Sequence, residues 1–370
     1  MPPHPALLRQ FEVTIPASSV HGPGVGLRTA RIGAAIVGAW LALAAPAAAQ
    51  EKAAVGVLRF VSSGALFVAA EKGYFKQEGL DVELKFFDAA QPIAVAVVSG
   101  DVDFGLTAFT AGLFNLAGKG GLKVIAAQAK EARGYEGNAI LASNAAWEKG
   151  LRRLDDLPGH SLGITQVGSS FHYQIGQIAR IKGFDLKAVS LKPLQSLSNM
   201  AAALTGGPVD ASIIAPHLAH ALLNAGNARL LGWYSDLDEY QFGALFASPR
   251  MIGSRRGVVE KFVHAYQKGV ADVATTLLRK NEAGKRVFDA ESHAIAALIA
   301  KHVYPADPPD KAVPQVEAST FYVDPQARLD VGDIYNQVAW YKAQGLVDAS
   351  VDPGAFIDLS FVRGRTDPLR

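Results

Sequence analysis

The chain has 370 residues, with 36 lysines and arginines against 34 acids and no cysteine. That length exceeds the ~250–300 residues at which a single core usually divides. Without cysteine there are no disulfides, thiolate nucleophiles, zinc–thiolate sites, iron–sulfur clusters or N-terminal lipid anchor on a thiol; the balanced charge gives no broad reason to expect nucleic acid as a partner.

Arg28 and Arg31 precede an apolar run, 32–45, and the small residues Ala47-Ala48-Ala49. Basic residues, an apolar stretch and a small-residue site form a secretory signal, with cleavage expected after Ala49. An uncleaved anchor is the rival, because the run borders on the ~18–20 residues of a membrane span. Residues 1–24 carry no pattern, and a start at Val25 accounts for them.

The mature part alternates strand and helix. Residues 55–60 are expected as a strand, Ser62-Ser63-Gly64 as the loop after it, and 65–75 as a helix with Leu66, Phe67 and Ala70 at helical spacing. Gly73 and Gly79 end helical turns, 81–87 is a strand entering a core, and 92–98 is a short helix with Pro92 in its first turn. Ser99-Gly100-Asp101 turns the chain into a buried strand, 102–106, and Thr107 lies just past it, where open parallel sheets place ligand contacts. Strands at 122–127 and 138–143 follow, the second beginning the passage out of the first lobe.

A second cycle partly copies the first: strand 161–165, loop Gly168-Ser169-Ser170, helix 171–182, strand 188–192, helix 196–204 and strand 209–214. The turn Thr205-Gly206-Gly207-Pro208-Val209-Asp210 echoes Ser99-Gly100-Asp101-Val102-Asp103 with one residue added. Two similar units point to two facing lobes. Residues 241–248 read as the strand that returns the chain to the first lobe. Helices follow at 257–279, 290–303 and 331–343, and the proline-rich 305–314 is expected as a loop between the last two. The expected division is a signal and extension at 1–49, lobe one at 50–143, lobe two at 144–240, and a return with C-terminal helices at 241–370.

The phrase "GYFKQEGLDVEL", followed by "VVSGDVDFG", resembles the periplasmic substrate-binding proteins of ABC transporters for nitrate, sulfonates, taurine and thiamine-pyrimidine precursors. "DDLPGHSLGI" and "GSSFHY" resemble the phrases that open the family's second lobe and its site there. The resemblance implies an α/β, two-lobed periplasmic-binding-protein fold of type II, each lobe a mainly parallel sheet flanked by helices, with a helical C-terminal extension. It implies an exported monomer in the periplasm, without a cofactor. It would deliver a small organic anion to a permease powered by a separate ATPase. An enzyme of the same fold acting on a pyrimidine or aromatic acid is one alternative, and a sensor presenting solute to a membrane receptor is another.

The candidate ligand residues follow from placement. Ser62, Ser63 and Gly64, and Ser169 and Ser170, put hydroxyls and free N–H groups at two helix starts, which attract anions; the alternative is that the serines cap their own helices. Thr107 and Phe109 end a lobe-one strand, Phe109 either stacking on a ligand or packing beneath a helix. His172 follows the second serine loop, and Pro216 ends the matching lobe-two strand or starts a helix. Arg133 is the best-placed guanidinium for an oxyanion, ahead of Arg59 in the first strand and Arg250. Trp233 and Tyr234 are hinge packing or a cleft wall. His217 and His220 share a helical spacing but have no third metal ligand, and no catalytic motif is present.

Overall fold

The computed structural model describes residues 50–362; the expected signal lies outside the described residues. Numbering only helices of eight residues or more, the chain runs β1 (Glu51–Leu58), α1 (Gly64–Glu71), β2 (Leu80–Phe87), α2 (Ala90–Ser99), β3 (Phe104–Ala108), α3 (Ala111–Gly118) and β4 (Lys123–Ala127). A short crossing strand, β5 (Lys130–Glu131), leads to β6 (Ala139–Ser143), β7 (Ser161–Ile164), α4 (Ser170–Lys182), β8 (Ser190–Pro193), α5 (Leu197–Gly206), β9 (Ala211–Ile214), α6 (Pro216–Asn224) and β10 (Ala228–Trp233). The chain returns through β11 (Tyr240–Gln241) and β12 (Gly243–Ala247) to α7 (Arg256–Thr276), α8 (Ala290–Val303), α9 (Pro309–Ser319) and α10 (Val331–Ala343).

Two five-stranded sheets result, ordered β2-β1-β3-β12-β4 and β8-β7-β9-β6-β10. Each has three parallel strands and then an antiparallel fourth that arrives from the other lobe: β12 in the first sheet, β6 in the second. The strands β3, β6, β9 and β12 are buried at every residue, as central strands covered on both faces must be. The expected boundary at Ser143 therefore falls one strand late, because β6 pairs with β9 and β10 and belongs to the second sheet. The two-stranded ribbon of β5 and β11 lies where the chain crosses between sheets.

The internal echo is closer than its spelling suggests. Gly100 and Gly207 both end a helix at φ +88°. The Asp103 carboxylate accepts from the Ala54 N–H, and Asp210 from the Ser161 N–H, each at 2.8 Å and each across 49 residues. The repeat thus aligns Gly100 with Gly207 and Asp103 with Asp210, with no added residue; the extra glycine belongs to the last turn of α5.

The expected loop at 305–314 is confined to residues 305–308, and 309–314 are helical. Pro309 occupies the first helical position of α9, where its missing N–H costs little, and Pro314 sits inside the helix. Burial of Ala312, Val313 and Val316, with α9 packed on α8, outweighs the lost bond. The helix expected at 65–75 is divided at Gly73 (φ +70°). No helix among the described residues is long and apolar enough to cross a membrane.

Helices α7 and α1 approach closely on the first sheet. A Cβ at Gly269 would lie 2.2 Å from the Ala65 carbonyl oxygen, which is backbone and cannot rotate away. We expect Gly269→Ala to lower unfolding stability by about 1–3 kcal/mol through overpacking, with Gly257→Ala, where nothing lies within 4 Å, as the neutral control in a urea melt.

Candidate functional site

The loops at the carboxyl ends of the two sheets meet. The Ala111 N–H, at the start of α3, donates to the Gly168 carbonyl at 2.8 Å, joining the two lobes through backbone. Gly168 has φ +82°, and a Cβ there would lie 2.9 Å from the Ala111 Cβ. Both the turn and the approach require glycine.

Of the first serine loop, Ser62 and Ser63 are buried (7 % and 1 % exposed) in a 3-10 turn between β1 and α1, and neither caps that helix with its side chain. Ser63 Oγ accepts from Gln128 Nε2 at 3.4 Å. Gln128 Oε1 and Thr107 Oγ1 are buried without a protein partner among the described residues. A Cβ at Gly243 would meet the Thr107 carbonyl oxygen at 2.3 Å and Gln128 Oε1 at 2.4 Å, so the carboxamide lies against the start of β12. Ser63 and Gln128 therefore form a buried polar pair, and Thr107 Oγ1 is buried at the end of the first sheet. Gly64 belongs to the packing instead: its Cα faces Ile299 of α8, with 2.8 Å left for a Cβ.

The second loop behaves differently. Ser169 caps α4, its Oγ accepting from the His172 N–H at 3.3 Å, and its carbonyl accepts from Tyr341 Oη. Ser170 is buried beside it. His172 Nδ1 accepts from the Gly168 N–H at 3.1 Å, and the ring stands edge-on to Trp340. Burial holds its pKa below the ordinary value, so the imidazole is neutral and serves to close the loop.

Three expected contacts fall outside the site. Phe109 is fully buried and stacked on Phe114, because the residue after β3 points into the core. Arg133 is exposed in the turn after β5, its backbone N–H bonded to Glu239. Pro216 is buried as the first residue of α6. Arg59, not Arg133, is the guanidinium at the cleft: β1 ends at Leu58, two residues earlier than expected of it, which leaves Arg59 at the sheet's carboxyl end. His220 is taken by Glu136 at 2.5 Å, and no group of three or more histidines and acids among the described residues could hold a metal.

Between the lobes lies a cavity of about 470 Å³ bordered by Arg59 and Phe60 of the first lobe, Ser196 and His217 of the second, and Tyr304 after α8. This volume suits a small organic ligand. His217 is 9 % exposed, its Nδ1 has no protein partner among the described residues, and burial pushes its pKa down to about 4. Tyr304 Oη donates to the His217 carbonyl at 3.0 Å, and the Phe60 ring centre lies 5.1 Å from that of His217. Gln128, His217 and Tyr304 were not chosen from sequence. Only His217 had a local signal, beside Pro216 at the end of β9.

Two facing α/β lobes joined by a crossing ribbon, with a cavity between them, define the periplasmic-binding-protein fold. The chain belongs to the NMT1/THI5-like family, whose model matches residues 61–276. No curated protein matches the sequence. Solved structures of the same fold include the ligand-binding component of an ABC-type import system from Staphylococcus aureus with zinc bound, at 17 % identity and TM-score 0.65 over 84 % of this chain and 98 % of that one. The alkanesulfonate-binding protein SsuA from Xanthomonas axonopodis pv. citri bound to MOPS aligns at 20 % identity and TM-score 0.64, over 85 % and 100 %. The desulfurization enzyme DSZB aligns at 14 % and TM-score 0.56, over 84 % and 97 %.

Proposed function

We propose that this protein is an extracytoplasmic solute-binding protein of an ABC importer, which captures a small organic anion between its lobes and hands it to a permease driven by a separate ATPase. The observation that carries this reading is the cavity of about 470 Å³ bordered by both lobes, beside which polar atoms of Thr107, Gln128 and His217 are buried without a protein partner among the described residues. Buried polar atoms are nearly always satisfied, so a bound solute is their natural partner. The family, and the binding proteins among the similar structures, support capture over catalysis; DSZB shows that the same fold also serves an enzyme. Export to the periplasm as a monomer completes the proposal. Closure on a ligand that bridges both lobes would stabilise the closed form, and micromolar affinity needs only ~8 kcal/mol.

The test is a thermal-shift screen of the mature chain against sulfonates, carboxylates, nitrate and pyrimidines, followed by Thr107→Val. Removing an unpartnered buried hydroxyl leaves stability unchanged or raised, so we expect the variant to melt no lower than the parent. Its calorimetric affinity for whichever anion stabilises the parent should fall about tenfold, the ~1.4 kcal/mol of one good hydrogen bond. Stabilisation by none of these solutes would sink the reading; unchanged affinity would place the solute away from Thr107.

A further inference from the structure

Resting on that reading, we propose that the solute is a planar aromatic acid carrying a single negative charge, its ring held among Phe60, His217 and Tyr304 and its acid group on Arg59. The walls of the interlobe cavity make the case. Phe60 and His217 are tilted ring neighbours at 5.1 Å, and His217 and Tyr304 stand edge to face at 6.4 Å. Three rings from three separate parts of the chain thus face one cavity of about 470 Å³, the size of a slot for one or two fused rings.

Tyr304 is fixed in this wall by its bond to the His217 carbonyl. The C-terminal helices thereby touch the second lobe at the cavity itself. His217 lines the slot with a neutral ring that repels no anion and attracts none, and its Nδ1 is buried without a protein partner among the described residues. Charge recognition falls to Arg59. The guanidinium lies 3.5 Å above the Phe86 ring and spends one N–H on the His302 carbonyl. A guanidinium has five N–H donors in a planar fork that matches a carboxylate. Asp88 and Asp307 also border the cavity and are exposed, so the mouth is acidic. The Arg59 fork offers one bidentate contact, and the two carboxylates oppose a second negative charge more than the first.

The experiment is isothermal titration of the mature chain with benzoate, 2-naphthoate, phenyl phosphate and ethanesulfonate, repeated with Arg59→Gln, Tyr304→Phe and Tyr304→Leu. Arg59 is exposed, so its variant folds. We expect micromolar binding of at least one aromatic carboxylate, a loss of tenfold or more in Arg59→Gln and in Tyr304→Leu, and two- to fivefold in Tyr304→Phe. Phenyl phosphate should bind at least tenfold more weakly. If ethanesulfonate binds while neither aromatic acid does, the aromatic assignment falls and solute capture stands. If phenyl phosphate binds as tightly as benzoate, the single-charge assignment falls. If aromatic acids bind but none of the three variants weakens them, the ligand sits elsewhere and this slot is overturned. If no acid binds, this inference fails, and the wider solute screen alone decides the reading beneath it.

Discussion

Glu131→Gln should raise unfolding stability at pH 8 and flatten the fall in stability that the parent shows between pH 7 and 8. Glu131 is completely buried on β5, and burial pushes its carboxyl up to about 8. Its Oε1 accepts from both the Asn138 N–H (3.0 Å) and Gln174 Nε2 (2.9 Å), while Oε2 has no protein partner among the described residues. One oxygen taking both bonds is the pattern of a neutral acid, with Oε2 as the hydroxyl. Around it, Asn138 Oδ1, Tyr234 Oη and Tyr240 Oη are also unpartnered, Tyr240 facing Glu131 across the β5–β11 ribbon and Tyr234 in ring contact with Tyr240.

The sign follows from proton binding. The folded chain holds this proton up to about pH 8, whereas the unfolded chain releases it near 4.5. Stability from the group is therefore fully present below pH 4.5 and is lost as pH rises to about 8, with no further loss beyond. One pH unit of displacement is worth about 1.4 kcal/mol, so the loss is on the order of 5 kcal/mol. Glutamine keeps the accepting oxygen and replaces the hydroxyl with a donor that has nothing to release. Asp333 contributes with the same sign, since burial pushes it up to about 7; its window closes earlier, so the interval from pH 7 to 8 isolates Glu131. A urea series at pH 5, 7 and 8 reads the effect. Parallel pH slopes in parent and variant would show that the carboxyl is ionised in the folded protein.

What was legible in the sequence, and what was not, divides by the range of the interaction. The strand–helix alternation rests on local period and on glycines such as Gly100 and Gly207, so it could be read directly. The buried polar residues at the end of the first sheet were half legible: Ser62 and Ser63 occupy the loop that the alternation marks, Thr107 lies within β3 and not just past it, and Gln128 meets β12 only 115 to 119 residues further on. Ser169 illustrates the other limit. A serine before a helix serves a cap or a ligand with the same local pattern, and only the bond to the His172 N–H decides. Phe109 turned on one residue of strand parity, and Arg59 on where β1 ends. Tyr304 had no local signal at all, because its place depends on a contact with His217, 87 residues earlier. Pro314 misled for the same reason: proline punctuates locally, while the packing of α9 on α8 is tertiary.

Gly168→Val should abolish high-affinity solute binding while leaving most of the fold's stability in place. The lobes touch where the Ala111 N–H meets the Gly168 carbonyl, and a branched side chain there meets two obstacles. Its backbone would have to hold φ +82°, which L-residues rarely adopt, and its Cβ would enter the Ala111 methyl at 2.9 Å. Both are relieved if the loop shifts and the lobes part slightly, because neither Gly168 nor Ala111 lies in a sheet. The strain of a disfavoured conformation is on the order of 1–3 kcal/mol. Charged against closure rather than folding, that penalty lowers affinity by about 10- to 100-fold, because a solute gripped from both sides binds only the closed form. Small-angle scattering should show the variant more extended than the parent in the presence of a stabilising solute, with calorimetry reading the affinity. A variant that melts far below the parent would place the strain in folding. One that binds normally would show that the Ala111–Gly168 contact is no part of the closed, solute-holding state.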